Sequence, residues 1–160
     1  MPGIEITVTN QTRTRVDAAW LRRMLRKVFA LLKIRDGVWT ITIVEDAEMA
    51  KLHQRTMRLG TTTDVLTFDL RESGVGSRNS EVELDTVICA DEAARRAGEL
   101  GHAVRNEVLL YAIHSLLHVR GYDDLTELDA AAMHQREDEL LVALGVGVVY
   151  GRQVRKAGHR

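Results

Sequence analysis

The feature that most constrains this chain is a change of hydrophobic period near residue 90. Before it, short β-branched runs alternate between apolar and polar residues; after it, apolar residues recur only at helical spacing. Ile4, Ile6 and Val8 alternate with Glu5, Thr7 and Thr9, and residues 38–44 read Val-Trp-Thr-Ile-Thr-Ile-Val. Two more short runs rich in Val, Ile, Thr and Phe, at 64–69 and 84–90, complete an expected set of four strands. Between the strands, Leu21, Met24, Leu25, Val28 and Leu32 predict a helix over about 17–34, closed by an Asp36-Gly37 turn. Asp46 is positioned to cap a second helix carrying Met49, Leu52 and Met57. Three further helices are expected at about 91–99, 103–119 and 127–144, with breaks at Gly98/Gly101 and Gly121. The order β-α-β-α-β-β-α-α-α predicts an α+β fold, a small mixed four-stranded sheet covered by helices. Residues 72–80, dense in Gly and Ser, read as a mobile loop.

A length of 160 residues suits one core, so a single domain over 1–160 is expected, ending in a basic tail at 151–160 with Arg152, Arg155, Lys156 and Arg160. With 45% hydrophobic and 28% charged residues, wholesale disorder and fibrous repeats are excluded. No apolar run approaches the roughly 18 residues that cross a bilayer, and no basic-then-apolar leader opens the chain. One cysteine, Cys89, forbids an internal disulfide and a Cys-based zinc finger, and in its predicted strand it reads as a small buried residue. A cytoplasmic protein is the expectation. The net charge of −1 conceals an asymmetry: residues 1–60 hold 11 Lys and Arg against 6 Asp and Glu, whereas 61–150 hold 7 against 17. Arg22, Arg23, Arg26, Lys27 and Lys33 crowd one helical stretch, which reads as a solvated face.

The chemistry concentrates between residues 107 and 124. His114 and His118 stand four apart in the apolar segment Val108-Leu-Leu-Tyr-Ala-Ile-His-Ser-Leu-Leu-His, so both rings project from one helical face on successive turns. Gly121 can take the left-handed conformation that ends a helix, letting the chain double back and bring Asp124 beside the rings as a third metal ligand. Two imidazoles and a carboxylate fill three tetrahedral positions of zinc and leave the fourth for water, the form of a catalytic site. Zinc proteases carry a Glu directly after the first His of such a pair; here Ser115 stands there, which makes a peptidase a minor alternative. Glu107, upstream on the same helix, is a candidate to support the ligands from behind. His134 reads as a surface residue held in reserve as a third ligand, and Met133 and Leu140 as core.

These residues resemble a known family. His114-Ser-Leu-Leu-His-Val-Arg-Gly-Tyr-Asp-Asp124, followed by Met133 and Glu137, is similar to the signature of the YbeY-type endoribonucleases, the bacterial rRNA maturation factors. Their motif reads His-Gly-x-Leu-His-Leu-x-Gly-Tyr-Asp-His with a Met-x-x-x-Glu helix downstream. Thr63-Asp-Val-Leu-Thr-Phe68 resembles the family's Thr-Asp-Val-Leu-Ser-Phe strand, and Leu84-Asp-Thr-Val-Ile-Cys89 its Gly-Asp-Ile-Val-Ile-Ser strand. Glu107 falls on the Glu that precedes the zinc helix. The resemblance covers about residues 38–144.

It implies a zinc-dependent endoribonuclease acting on single-stranded RNA in small-subunit rRNA maturation and ribosome quality control, with metal-bound water as nucleophile. Its implied partners are rRNA, the ribosomal small subunit and ribosome-associated proteins, with no DNA and no membrane. His114 and His118 match the first two zinc ligands, while Asp124 stands where the family has its third histidine. A two-His, one-Asp set also suits iron or manganese. The family's active-groove arginine falls on Met57; Arg58 is next to it and Arg55 two residues back, and one residue on a helix rotates a side chain by about 100°. Arg58 is therefore the catalytic candidate, with Arg55, Arg58 and His53, which occupies the family's Asn position, as substrate-binding candidates. Ser115 for the motif Gly and Thr62 for the Pro before Thr-Asp are further departures. A non-catalytic ribosome-associated binding factor with a structural metal is the second expectation, and a metalloprotease the third.

Overall fold

The computed structural model describes residues 3–57, 64–71, 81–122 and 125–147. The 72–80 stretch, the 151–160 tail, Arg58 and Asp124 lie outside the described residues. The elements run β1 (Ile4–Asn10), α1 (Ala18–Leu31), β2 (Asp36–Val44), α2 (Asp46–Met57), β3 (Val65–Asp69), β4 (Glu81–Cys89), α3 (Ala90–Leu100), α4 (Val104–Val119) and α5 (Glu127–Ala143). The α+β expectation holds, with four described strands before residue 91 and helices after it. None of the described helices is long and apolar enough to cross a membrane.

The sheet order is β1-β2-β4-β3, with β1 parallel to β2, β2 parallel to β4, and β3 antiparallel on the far edge. Side chains alternate across it. Trp39, Ile41 and Ile43 of β2 and Val82, Leu84 and Ile88 of β4 join the main core with α1, α4 and α5. Val44, Val87 and Cys89 face the other way and meet Met49 of α2 in a second, smaller cluster with Leu66. Met133 and Leu140 of α5 are buried in the main core, as their spacing predicts. On α1, Trp20, Leu21, Met24, Leu25, Val28 and Phe29 are buried, and Arg23, Arg26 and Lys27 stay in solvent as expected.

Two boundaries differ from the sequence reading. α1 starts one residue later, because the Asp17 carboxylate caps it by accepting from Trp20 N–H at 3.0 Å. Its end comes at Leu31, and the chain turns at Leu32 and Lys33, so Asp36-Gly37 is no turn: both residues open β2. Gly37 is needed there for space. Phe29 stacks on Trp39 with ring centroids 5.6 Å apart, and a Cβ at Gly37 would come within 3.0 Å of Phe29 Cε2 and 3.4 Å of the Val82 carbonyl oxygen. Of the Gly98/Gly101 break expected after α3, Gly98 lies inside the helix and left-handed Gly101 closes it.

The C-terminal ends of β2 and β4 are tied by charge. Asp46, the first residue of α2, binds Arg95 of α3 in two contacts of 2.9 and 3.0 Å and accepts from Cys89 Sγ at 3.2 Å. Its backbone N–H donates to Asp91 at 2.8 Å. The hydrogen bond from Arg95 holds the Asp46 carboxyl below its ordinary value against the opposing effect of burial. Burial pushes the Cys89 thiol up to about 11, with Asp46 adding to it.

Two outcomes follow from this packing. Gly37→Ala should lower stability by about 1–3 kcal/mol, read in urea unfolding, because the enclosed Phe29 ring has nowhere to move. At pH 8 roughly one Cys89 in a thousand is thiolate, so native protein should resist iodoacetamide and label fully only once unfolded. Rapid labelling of the native state would contradict the packing.

Candidate metal centre

Helix α4 carries both histidines through the interior. From Glu107 to Leu117 every residue except His114 is buried, so its polar side chains must be satisfied by protein groups. Two of them are. Ser115 Oγ lies 2.8 Å from Thr67 Oγ1 of β3 and 2.8 Å from Thr86 Oγ1 of β4. Thr86 Oγ1 in turn accepts from Trp39 Nε1 at 2.9 Å. A serine where the family motif has glycine is accommodated because two threonines supply its partners, and this hydroxyl chain sets the helix against three strands. Glu107, expected to back the ligands, sits instead 2.9 Å from His102 Nε2, two turns before His114.

The carboxylate that does back His114 comes from α5. Glu137 Oε2 accepts from His114 Nδ1 at 2.6 Å, and Glu137 Oε1 from His134 Nδ1 at 3.1 Å. Glu137 is 1% exposed. Burial by itself would raise its carboxyl, but the hydrogen bonds and charges of the two histidines win and hold it below 4.5. A carboxylate can only accept, so the Nδ1 proton is fixed in place, and in the neutral imidazole Nε2 of His114 carries the lone pair. That is the tautomer a metal-binding imidazole needs, with the usual carboxylate behind it. The His118 ring meets His114 edge-on, centroids 4.7 Å apart.

α4 ends where the sequence indicated. Gly121 has φ +105°, and Gly121 N–H and Tyr122 N–H donate to His118 O and Leu117 O at 3.2 and 3.0 Å, reversing the chain just after the second histidine. Among the described residues no three His, Cys, Asp or Glu side chains converge to hold an ion; Asp124, the expected third ligand, is outside them. Of the substrate-binding candidates, Arg55 is exposed in the last turn of α2, whereas His53 is 7% exposed. His134 is no simple surface residue, since it shares Glu137 with His114.

A sequence profile described as Endoribonuclease YbeY matches residues 5–145. The chain belongs to the Endoribonuclease YbeY family. The Endoribonuclease YbeY of Micrococcus luteus is 33% identical over 140 residues, covering 85% of this chain and 89% of its own length. That of Thermobifida fusca is 33% identical over 143 residues, covering 86% and 92%. The solution structure of TM1509 from Thermotoga maritima shares the fold, with a TM-score of 0.61 at 22% identity over 94% of this chain and 93% of that one. Membership in the YbeY family makes this chain an RNA-cleaving hydrolase with RNA as substrate.

Replacing Glu137 tests how the family's histidine pair is oriented in this chain. Glu137→Gln keeps the volume but loses the anion, and should weaken metal affinity about 10- to 100-fold in a chelator competition while the circular dichroism stays native. Because the carboxyl is held below 4.5 in the fold, its contribution to stability is complete above that pH and drains as pH falls beneath it. Glu137→Gln should flatten that acid limb.

Proposed function

We propose that this chain is a metal-dependent endoribonuclease for single-stranded RNA, working in the cytoplasm on small-subunit rRNA maturation and ribosome quality control. His114, His118 and Asp124 hold zinc, with iron or manganese as chemically acceptable substitutes for a two-His, one-Asp set. The observation that carries the reading is the 2.6 Å contact from His114 Nδ1 to buried Glu137, which directs the lone pair of Nε2 away from the carboxylate. The donor set fits such an ion: a fixed tautomer on His114, a second imidazole one turn on, and an acidic residue after the Gly121 reversal. Zinc bound there would polarise a phosphoryl oxygen and lower the pKa of a water molecule toward neutrality.

The chain's own residues have separate tasks. Glu137 keeps His114 in one tautomer and neutralises the charge that ligation draws onto the ring. Arg58 steadies the developing charge on the phosphate, and exposed Arg55 on α2 binds the strand, with His53 as a further substrate contact. The rRNA substrate, the small subunit and ribosome-associated proteins as partners come from the family resemblance.

Metal content and cleavage of an unstructured RNA, measured together, test this. Wild type should hold about one zinc per chain and cleave, with cleavage lost to chelator; His118→Ala should lose both. Asp124→His removes one negative charge from the donor set, so the pH of half-maximal cleavage should fall. Metal retained in full by His118→Ala would overturn the ligand set. Metal bound by wild type without cleavage would leave a binding factor in place of a nuclease.

A further inference from the structure

A second site lies on the other flank of α5. A cavity of about 270 Å3 opens between the C-terminal ends of α1 and α4, lined by Leu32, Lys33, Leu117, Arg120, Tyr122 and Arg136. Three of its walls are cationic, one from each helix, and Arg120 follows His118 by two residues.

Lys33 is the telling residue. α1, α4 and α5 all end in the same way, with the N–H groups after the cap donating back to the last turn: Lys33 to Ala30 O and Ile34 to Phe29 O, Gly121 to His118 O and Tyr122 to Leu117 O, Gly145 to Val142 O and Val146 to Leu141 O. The residue in the middle of each must adopt positive φ, where a Cβ is strained. Two of the three ends use glycine. At the third stands Lys33 with φ +61°, the only non-glycine residue of positive φ among those described. A strained residue kept where glycine would be relaxed points to a task for its side chain.

Helix C-termini attract cations on their own account, so the plain alternative is that Lys33 and Arg120 complement two helix dipoles. Each end carries only about half a negative charge. Arg136 sits in mid-helix, three residues from its ion-pair partner Glu139, whose side chain is half exposed. Arg71, paired with Asp69, reaches the same end of α4, its Nη2 donating to the Val119 carbonyl at 3.3 Å. Three cations line one cavity, against two helix ends of about half a charge each and the one paired carboxylate of Glu139. A tyrosine beside cations adds the flat surface on which a nucleobase stacks.

We infer that this cavity, through Lys33, Arg120 and Arg136, binds a backbone phosphodiester of the single-stranded RNA substrate away from the bond being cut. The inference rests on the RNA-cleaving reading above and adds a strand-holding site to it. Tyr122 faces the sugar or base attached to that phosphate.

The test measures affinity against salt by fluorescence anisotropy, using zinc-loaded protein and a labelled phosphorothioate-linked single-stranded RNA that resists hydrolysis. Lys33→Gly, Arg120→Gln and Arg136→Gln are compared with wild type and with Arg23→Gln, on the solvent face of α1. Each cavity variant should bind roughly three- to tenfold more weakly, with a log–log salt slope shallower by about 0.7. Arg23→Gln should match wild type. Lys33→Gly should also melt no lower than wild type, since it relieves the left-handed strain, so its loss of affinity cannot come from a damaged fold. Wild-type affinity and slope in Lys33→Gly would overturn the site, as would an equal loss in Arg23→Gln. A parallel titration with inorganic phosphate separates a strand site from an isolated anion pocket; phosphate binding tighter than the RNA would overturn the strand assignment. Metal-dependent cleavage with unchanged binding in the cavity variants removes this site and leaves the proposed nuclease. Cavity-dependent binding without cleavage removes the nuclease and leaves the site.

Discussion

Helix α4 is enclosed almost throughout, and that enclosure governs the rest of the molecule. A polar side chain inside a protein costs about 1–3 kcal/mol if it is left without a partner, and α4 brings Glu107, His114 and Ser115 into the interior or to its edge. Each is met by a different element: the segment before α4 presents His102, the sheet presents Thr67 and Thr86, and α5 presents Glu137. Those three contacts leave the helix little freedom to slide or rotate. Since the imidazole of His114 is aimed by α5 and its neighbour Ser115 is bound to the sheet, the direction of the candidate ligand belongs to the packing as a whole. Preorganisation of this sort is what a metal site needs.

α5 has a double part in this arrangement. Consecutive residues on a helix point about 100° apart, so Glu137 can enter the interior toward His114 while Arg136 lines the cavity beside α1 and α4. The cluster around His114 and the basic cavity thus lie on two sides of one helix. Held by Met133, Leu140 and Leu141 in the core, α5 fixes both at once. A chain that cuts a flexible strand gains from this, because a strand held at a second point has less freedom at the bond being cut. Lys33 shows the stability given up for such a role: φ +61° at the end of α1 is strain that the neighbouring helices avoid with glycine.

Much of this was legible from local pattern. Strand and helix order, the single metal-type histidine pair and the Gly121 reversal each depend on residues within a few positions of one another, and the structure contains all of them. What local pattern misread involved partners far along the chain. Asp36-Gly37 has the composition of a turn, but Phe29 packs over Gly37 and draws it into β2. Glu107 has suitable spacing to support His114 along the helix, yet a carboxylate two turns away along α4 faces His102 instead.

Glu137 itself left a trace in the sequence: it interrupts the helical stripe of Met133, Leu140 and Leu141, and a charged residue on an otherwise apolar face must have a buried partner. By itself, then, the sequence determined the order and type of the elements, the spacing of the two histidines and the need for a partner to Glu137, because hydrophobic period, caps and turns act over a few residues. Only the tertiary structure decided which groups meet: Glu137 with His114, Ser115 with Thr67 and Thr86, and Lys33 with Arg120 and Arg136 around one cavity. The physical reason is that these pairings join residues up to about a hundred positions apart, and helix packing against the sheet brings them together where no local rule operates.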